Sequence, residues 1–576
     1  MMNKKEIIKV LEQIAVYMEI KGENAFRVSA YRKAAQALEQ DERSLRDIDD
    51  VSKLNGIGKG TAAIINELIE TGESSVLNEL KEEIPEGLIP LLKLPGLGGK
   101  KLGKLYQELG VKDRETLKEA CESNRIQELA GFGKKSEEKI LHALEEANTR
   151  PERLPIATVE KAAQFLKDRL ASLEDVRRFE LAGSYRRARE TVKDLDFIVS
   201  TDAPASVRES LLNMGEIGEI IGQGDTKLSF TVIIDDDFPL SVDVRLVEDE
   251  AFATTLHHFT GSKDHNVLMR QLAKDQGEKI SEYGVENVET GEVKTFEDET
   301  AFFNHFGLSF IPPEVREGRD ELAQFPKDSD LQLISNDDIR GDLHMHTTWS
   351  DGAHSIDEMI EACRTRGYDM MAITDHSQFL KVANGLTVER LKRQHEQVRM
   401  YNEQYEDMTI FTGIEMDILP DGSLDYDDDV LENIDFVIAS IHSSFQQDRN
   451  TIQQRLETAA RHPKVAMIAH PTGRLIGRRD GYDVDLDWLI DLAKETGTIL
   501  ECNANPNRLD LSAEWLEKAQ KAGVPIAINT DAHRIEMLDH MPMGVSTAKR
   551  GWLNADSVVN TWGAERLKAW IDKKQT

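Results

Sequence analysis

Cysteine is scarce in this chain: Cys121, Cys363 and Cys502 stand apart among 576 residues. Three isolated thiols, odd in number, argue against a disulfide framework and against a cysteine-rich zinc site. Long apolar runs are missing as well. No stretch reaches the ~18 apolar residues that a spanning helix needs, and the start lacks a charged segment followed by an apolar one. The expectation is a soluble, cytoplasmic protein with no membrane partner. Excess positive charge is the third absence, the net formal charge being −34. Such a balance weighs against nucleic acid, because a DNA binder displaces counterions with Lys and Arg. The charge is unevenly spread, however. Asp421 to Asp435 carries seven acids and no base, whereas Leu91 to Lys104 carries four lysines and no acid. Binding through such basic patches would be local and strongly salt-sensitive.

What is present begins with size. A hydrophobic content of 40% over 576 residues exceeds what one core absorbs, so several domains are expected. The chain is organised around GSYRRARETVKDLDFIVS, Gly183 to Ser200. Its second half reads as a strand, in which alternate side chains share a face: Asp194 and Asp196 point together while Leu195 turns to the core. Paired carboxylates are unfavourable unless divalent cations bridge them, and hard oxygen ligands suit Mg²⁺ or Mn²⁺. Asp243, in the alternating segment LSVDVRLV, is the candidate third ligand.

Gly-Ser-x-x-Arg, then Asp-x-Asp, then a lone Asp on a later strand resembles the nucleotidyltransferase palm of family X DNA polymerases, the group of DNA polymerase beta. The resemblance implies that Asp194, Asp196 and Asp243 are catalytic and hold two metals, and that Gly183, Ser184 and Arg187 form the phosphate-binding loop for a deoxynucleoside triphosphate. His258-Phe259-Thr260-Gly261-Ser262, followed by Asn266 and Arg270, resembles the family's Tyr-Phe-Thr-Gly-Ser segment. That likeness implies sugar contacts from His258, Phe259 and Gly261, and base and template contacts from Asn266 and Arg270. Two departures stand out: Lys193 where the family has Gly beside the first Asp, and His258 in place of Tyr.

Upstream, a glycine turn recurs three times: Gly56-Ile57-Gly58-Lys59, Gly96-Leu97-Gly98-Gly99-Lys100-Lys101 and Gly131-Phe132-Gly133-Lys134-Lys135. A Gly-apolar-Gly turn feeding a helix exposes backbone N–H groups that suit a phosphate. Three copies resemble helix-hairpin-helix modules, which grip DNA backbones without reading sequence. The first eighty-odd residues also resemble the small domain of DNA polymerase beta through Tyr31-Arg32-Lys33-Ala34-Ala35. In that family a lysine forms a Schiff base with a deoxyribose phosphate; the register here puts Ile64 at its place.

A second constellation follows residue 340. Ten of the fifteen histidines lie there. Seven short apolar segments, GDLHMH, DMMAITDH, TIFTGIE, DFVIASIH, VAMIAH, TILECN and PIAINTDAH, alternate with helical stretches, and six end in His, Glu or Asp. Ligands at strand C-termini are the logic of a β/α barrel, with one mouth lined by His344, His346, Asp351, His376, Glu415, His442, His470, Asp531 and His533. Imidazole with carboxylate suits about three Zn²⁺, Mn²⁺ or Fe²⁺ ions, able to activate water for attack on phosphorus. The run H-x-H, SDG, TDH, GIE, S-x-H, AHP, TDAH resembles the polymerase and histidinol phosphatase (PHP) domain, with all nine metal positions filled. Arg474, Arg478 and Arg479 are further candidates for contacts to substrate phosphates.

The expected fold class is therefore multidomain α/β. A helical domain over 1–85 and helix-hairpin-helix fingers over 86–150 precede a mixed α+β palm over 151–248 and a thumb-like domain over 249–317. A polar linker over 318–339 leads to a distorted (β/α)7 PHP barrel over 340–576. Palm plus PHP resembles the bacterial family X DNA polymerases over almost the whole chain. That implies a monomeric DNA-directed DNA polymerase filling short gaps in base excision repair, with gapped or primed DNA and deoxynucleoside triphosphates as partners and a 3′–5′ exonuclease in the PHP domain. The alternative is a PHP nuclease whose polymerase half is only a DNA clamp. Processing of abasic sites stays open.

Overall fold

A computed structural model describes residues 4–40, 48, 50–94, 97–146, 153–233 and 239–575. Gly96 and the expected boundary between 150 and 151 lie outside them. The helices Lys4–Lys21 and Ala25–Gln40 form a hairpin, closed by Gly22 at φ +81. Their apolar faces bury Ile7, Leu11, Ile14 and Leu38 together with Ile65 and Leu68 of the helix Lys59–Thr71. The helix Gly99–Leu109 crosses the first helix at backbone contact: a Cβ on Gly103 would lie 2.7 Å from the Glu19 and Ile20 carbonyl oxygens. Only glycine permits that approach.

Downstream, five strands form one sheet in the spatial order Arg178–Leu181, Asp194–Ser200, Leu240–Val247, Lys227–Val232 and Ile217–Gln223. The pair Asp194–Ser200 and Leu240–Val247 is parallel, and the other pairs are antiparallel. Period-two alternation sorts the faces. Leu195, Phe197 and Val199 join Val242 and Val244 in a core with Val159 and Leu166 of the helix Ile156–Ala171. Ile198, on the opposite face with the two acids, packs under Phe252 and Leu256 of the helix Phe252–Thr260. That helix leads into a small domain cored by Met269, Phe302, Phe303 and Ile311.

Residues 318–339, expected as a polar linker, are instead packed down. Phe325 joins the core of the small domain, Ile334 joins that of the barrel, and Glu321 is fully buried on His265. Widely spaced apolar residues anchor the segment without making a periodic pattern.

The C-terminal part holds seven strands, all parallel and in sequence order: Gly341–Asp342, Met370–Ile373, Thr409–Asp417, Phe436–Ser440, Val465–Ile468, Ile499–Asn503 and Ile526–Asn529. Beyond the first and last strands, Met345 pairs parallel with Ala532, and the His346 amide donates to the Ala532 carbonyl at 2.8 Å. This pairing nearly closes the ring. The barrel also docks on the palm, since Leu509 is buried in the palm core and Ile476 and Met543 pack against it.

Candidate active sites

The palm site rests on the parallel register that puts Asp196 beside Asp243, with Asp194 two residues away on the same face. Burial, then the neighbouring acids, pushes the Asp196 carboxyl up to about 7; burial and Asp243 also raise Asp194. Asp243 accepts from the Ser229 hydroxyl at 2.5 Å and pairs with Lys227 at 2.9 Å. Gly183 sits against this cluster at φ +61, where a Cβ would come 2.2 Å from Asp196 Oδ2. Both its backbone conformation and the close approach exclude other residues. Like-charged oxygens pressed together on one face form the donor set that a hard divalent cation would relieve, so the residues fit a metal there.

Ser184 lies half-buried in the short helix Gly183–Arg186. Arg186 spans to Thr260 Oγ1 at 2.9 Å and to buried Glu299 at 2.7 Å; Glu299 also pairs with fully buried Arg316. Arg187 donates to the Thr260 carbonyl at 2.7 Å and to Glu317 at 3.1 Å, so its guanidinium is held by protein in this conformation. His258 packs edge-on against Phe259 at 5.0 Å, and Arg245 lies over the Phe259 ring at 4.3 Å. Asn266 donates to the His258 carbonyl at 2.8 Å, and a Cβ on Gly261 would meet His265 and Asn266 within 2.8 Å. Arg270 is exposed on the helix Lys263–Asp275.

In the glycine turns, Gly58 and Gly98 cap their helices as extended residues, while Gly56 and Gly131 take positive φ. Gly133 accepts from the Ser136 amide at 2.8 Å as the third helix begins. Lys59, Lys100, Lys134 and Lys135 are exposed beside these turns; Lys101 instead lies half-buried over the Phe132 ring at 5.4 Å.

The barrel mouth draws the other candidates together. Three ligand groups have donor atoms within 4.8 Å of one another: His346, Asp351, His376 and His533; His344, His346 and Asp531; and His376, Glu415 and His442. All such clusters among the described residues lie in this mouth. Glu415 is the hub, reaching His376 Nδ1 and His470 Nε2 at 2.9 Å, His442 Nε2 at 3.3 Å, His344 Nε2 at 3.4 Å and His346 Nε2 at 3.5 Å. All nine expected ligands thus meet at one end of the strands. His470 and Asp531 take positive φ, backbone strain concentrated where two ligands are aimed.

Several atoms there, including His344 Nε2, Glu415 Oε2 and His470 Nδ1, are buried without a hydrogen bond. Burial and the neighbouring His533 and His376 push His346 down to about 3, which keeps its imidazole neutral. Glu415 and Asp531 lie well below the usual carboxylate range; burial opposes this, and the surrounding imidazoles overcome it. The same carboxylates raise His344 well above its ordinary value and His442 up to about 10, against the burial that opposes both. Clustered imidazoles, ionised carboxylates and buried atoms lacking partners make a donor set that fits borderline divalent cations.

Sequence reasoning overlooked the layer behind these groups. Glu501, on the one barrel strand that supplies no expected ligand, accepts from His344 Nδ1 at 2.8 Å and from the His470 amide at 2.6 Å. Asp417 stands 3.3 Å from His442 Nδ1, and Arg508 Nε lies 3.7 Å from Asp531. The signal available for Glu501 was an acid inside an otherwise apolar strand. Two arginines expected at substrate are otherwise engaged. Arg474 pairs with Glu190 of the palm at 2.6 Å, and Arg479 donates to the Gly473 carbonyl and covers the Phe445 ring.

Comparison with known proteins bears on both sites. Residues 2–74 match the helix-hairpin-helix domain, 88–146 the SAM-like helix-hairpin-helix tandem, 255–317 the DNA polymerase beta thumb and 342–505 the PHP domain. A Bacillus subtilis (strain 168) protein named DNA polymerase/3′-5′ exonuclease PolX is 59% identical over 572 residues, covering 99% of this chain and all of its own. The chain belongs to the family X DNA polymerases that carry a PHP domain. More distant relatives match part of the chain. A probable phosphatase of Thermoanaerobacter sp. (strain X514) is 26% identical over 41% of this chain and 95% of its own. Another, of Acetivibrio thermocellus, is 28% identical over 33% of this chain and 78% of its own. Among the described residues, no helix is long and apolar enough to cross a membrane.

Proposed function

We propose that this protein is a DNA-directed DNA polymerase that fills short gaps during repair, paired on one chain with a 3′–5′ exonuclease. The observation that carries the reading is the survival of both donor sets, the palm carboxylates and the nine-ligand mouth, in a chain similar end to end to a polymerase/exonuclease. Asp194, Asp196 and Asp243 would hold two Mg²⁺ or Mn²⁺ ions in the palm. The nine residues of the mouth would hold about three Zn²⁺, Mn²⁺ or Fe²⁺ ions. When bound, these ions neutralise developing phosphate charge and lower the pKa of water.

The chain's own residues do the positioning. Ser184 and Arg187 offer a hydroxyl and a fork of donors to nucleotide phosphates, while Arg186, fixed between Thr260 and Glu299, ties that loop to the small domain. Phe259 and Gly261 present a ring and a tightly packed turn to the sugar, and Asn266 fixes the His258 carbonyl that frames it. The glycine turns aim amides and lysines at the DNA backbone. A deoxyribose-phosphate lyase working through the family's lysine position is disfavoured, because Ile64 stands there, buried in the N-terminal core.

Incubation of a gapped, 5′-phosphorylated duplex with Mg²⁺ or Mn²⁺, with and without nucleotides, tests the reading. Extension in the first case and shortening from the 3′ end in the second are expected. Binding without either turnover would overturn it, and shortening alone would favour the DNA-clamp alternative.

A further inference from the structure

The loop expected to hold the nucleotide's phosphates is not supported by the palm alone. Arg187 is followed by Ala188 at φ +52, the left-handed residue that ends the helix Gly183–Arg186, its amide donating to the Tyr185 carbonyl at 2.9 Å and the Arg189 amide to the Ser184 carbonyl at 3.0 Å. The barrel adds a further contact to this turn. Arg550, the last residue of the barrel helix Met541–Arg550, donates to the Arg187 carbonyl at 2.8 Å, the peptide oxygen between the two residues. The same nitrogen donates to Glu317 Oε1 at 2.8 Å, the oxygen that also accepts from Arg187 Nε at 3.1 Å. Arg189 stands 3.8 Å from that oxygen as well. Three guanidiniums therefore converge on one carboxylate and leave a positive excess that a polyphosphate would complement. Arg550 is mostly buried, at 13% side-chain exposure, so its contacts are little diluted by water.

We propose that Arg550, contributed by the nuclease barrel, is a positioning residue for nucleotide binding in the polymerase palm. It holds the Arg187 carbonyl in place and shares Glu317 with it. When a triphosphate draws the Arg187 guanidinium away, Arg550 keeps Glu317 paired, so the half-buried carboxylate is not stranded. Lysine should replace it in part, because its ammonium also donates from a single nitrogen but lacks the remaining donors and the planar shape of the guanidinium. The proposal rests on the reading of Arg187 as a phosphate ligand.

The test uses the full-length chain and steady-state gap filling with varied nucleotide. Loss of a buried charged hydrogen bond predicts that Arg550→Ala raises KM for the nucleotide about tenfold, with kcat within about threefold of the parent and Arg550→Lys in between. Arg319→Ala serves as the docking control. It breaks another tie to the barrel, the Arg319 pair with Glu517 at 2.8 and 3.0 Å, and should leave KM within about twofold. Shortening of a primer without nucleotides should persist in all three variants, showing that the barrel is folded. An unchanged KM in Arg550→Ala, or an equal rise in Arg319→Ala, would overturn the proposal. Arg187→Ala separates the two layers. If it too leaves KM unchanged, the phosphate role of Arg187 falls and the proposal with it; if it raises KM while Arg550→Ala does not, the proposal alone falls.

Discussion

The two candidate metal sites of this protein are built in opposite ways. In the palm, three half-buried carboxylates lie on adjoining strands, partly balanced by Lys227 and Ser229 and packed against the Gly183 turn. In the barrel, nine ligands from six of the seven strands converge around Glu415, with Glu501 and Asp417 fixing imidazoles from behind. One site is a cluster of acids with a single lysine beside it; the other has an orienting layer of acids in place behind its imidazoles. A cluster of like charges answers mainly to electrostatics, whereas a site with an orienting layer answers to the geometry behind its ligands.

The sharpest break in this contrast is ligand removal. His344→Ala with His346→Ala should lower 3′–5′ degradation by orders of magnitude, with gap filling retained, and Asp194→Ala with Asp196→Ala should do the reverse. Paired extension and degradation assays decide, and Mn²⁺ should favour degradation more than Mg²⁺ does. A next smaller effect is expected behind the ligands. Glu501→Gln removes the acceptor that orients His344, and it should cost roughly 10–100-fold in metal affinity or degradation. Metal content after dialysis measures it, and a normal value would mean the outer layer is only packing.

Acid–base behaviour gives a moderate effect confined to the palm. Asp196 is raised to about 7 in the folded protein against 3.8 ordinarily, so the fold favours its protonated form. Without cation, its contribution to stability is present at low pH and is lost as pH climbs through 4 to 7. Mg²⁺ should therefore raise the melting temperature more at pH 8 than at pH 6, and Asp196→Asn should flatten the difference. The smallest effect concerns the glycine turns. Removing the charges of Lys100, Lys134 and Lys135 should reduce the salt slope of DNA binding by up to about one unit per phosphate contact, alike for all sequences. Lys101→Ala, taking away the cation over Phe132, should act on stability instead.

Much of both sites was legible before any coordinates. Period-two alternation assigns Asp194, Asp196 and Asp243 to sheet faces, and apolar segments ending in ligands mark six of the seven barrel strands, because these patterns are local consequences of strand geometry. Glu501 escaped notice because its importance lies in facing His344, which comes 157 residues earlier. Residues 318–339 read as a linker because their anchors, Phe325 and Ile334, serve two different cores and share no period.

Residue type at short spacing carries the family, the two donor sets and the strand-helix alternation of the barrel. Only the tertiary structure decided which charges meet. Arg474 turns to Glu190 rather than to substrate, Arg187 rests on Glu317, and Arg550 reaches a loop 363 residues away. Long side chains such as arginine choose partners by where folded surfaces come together, and nothing in their local sequence encodes that meeting.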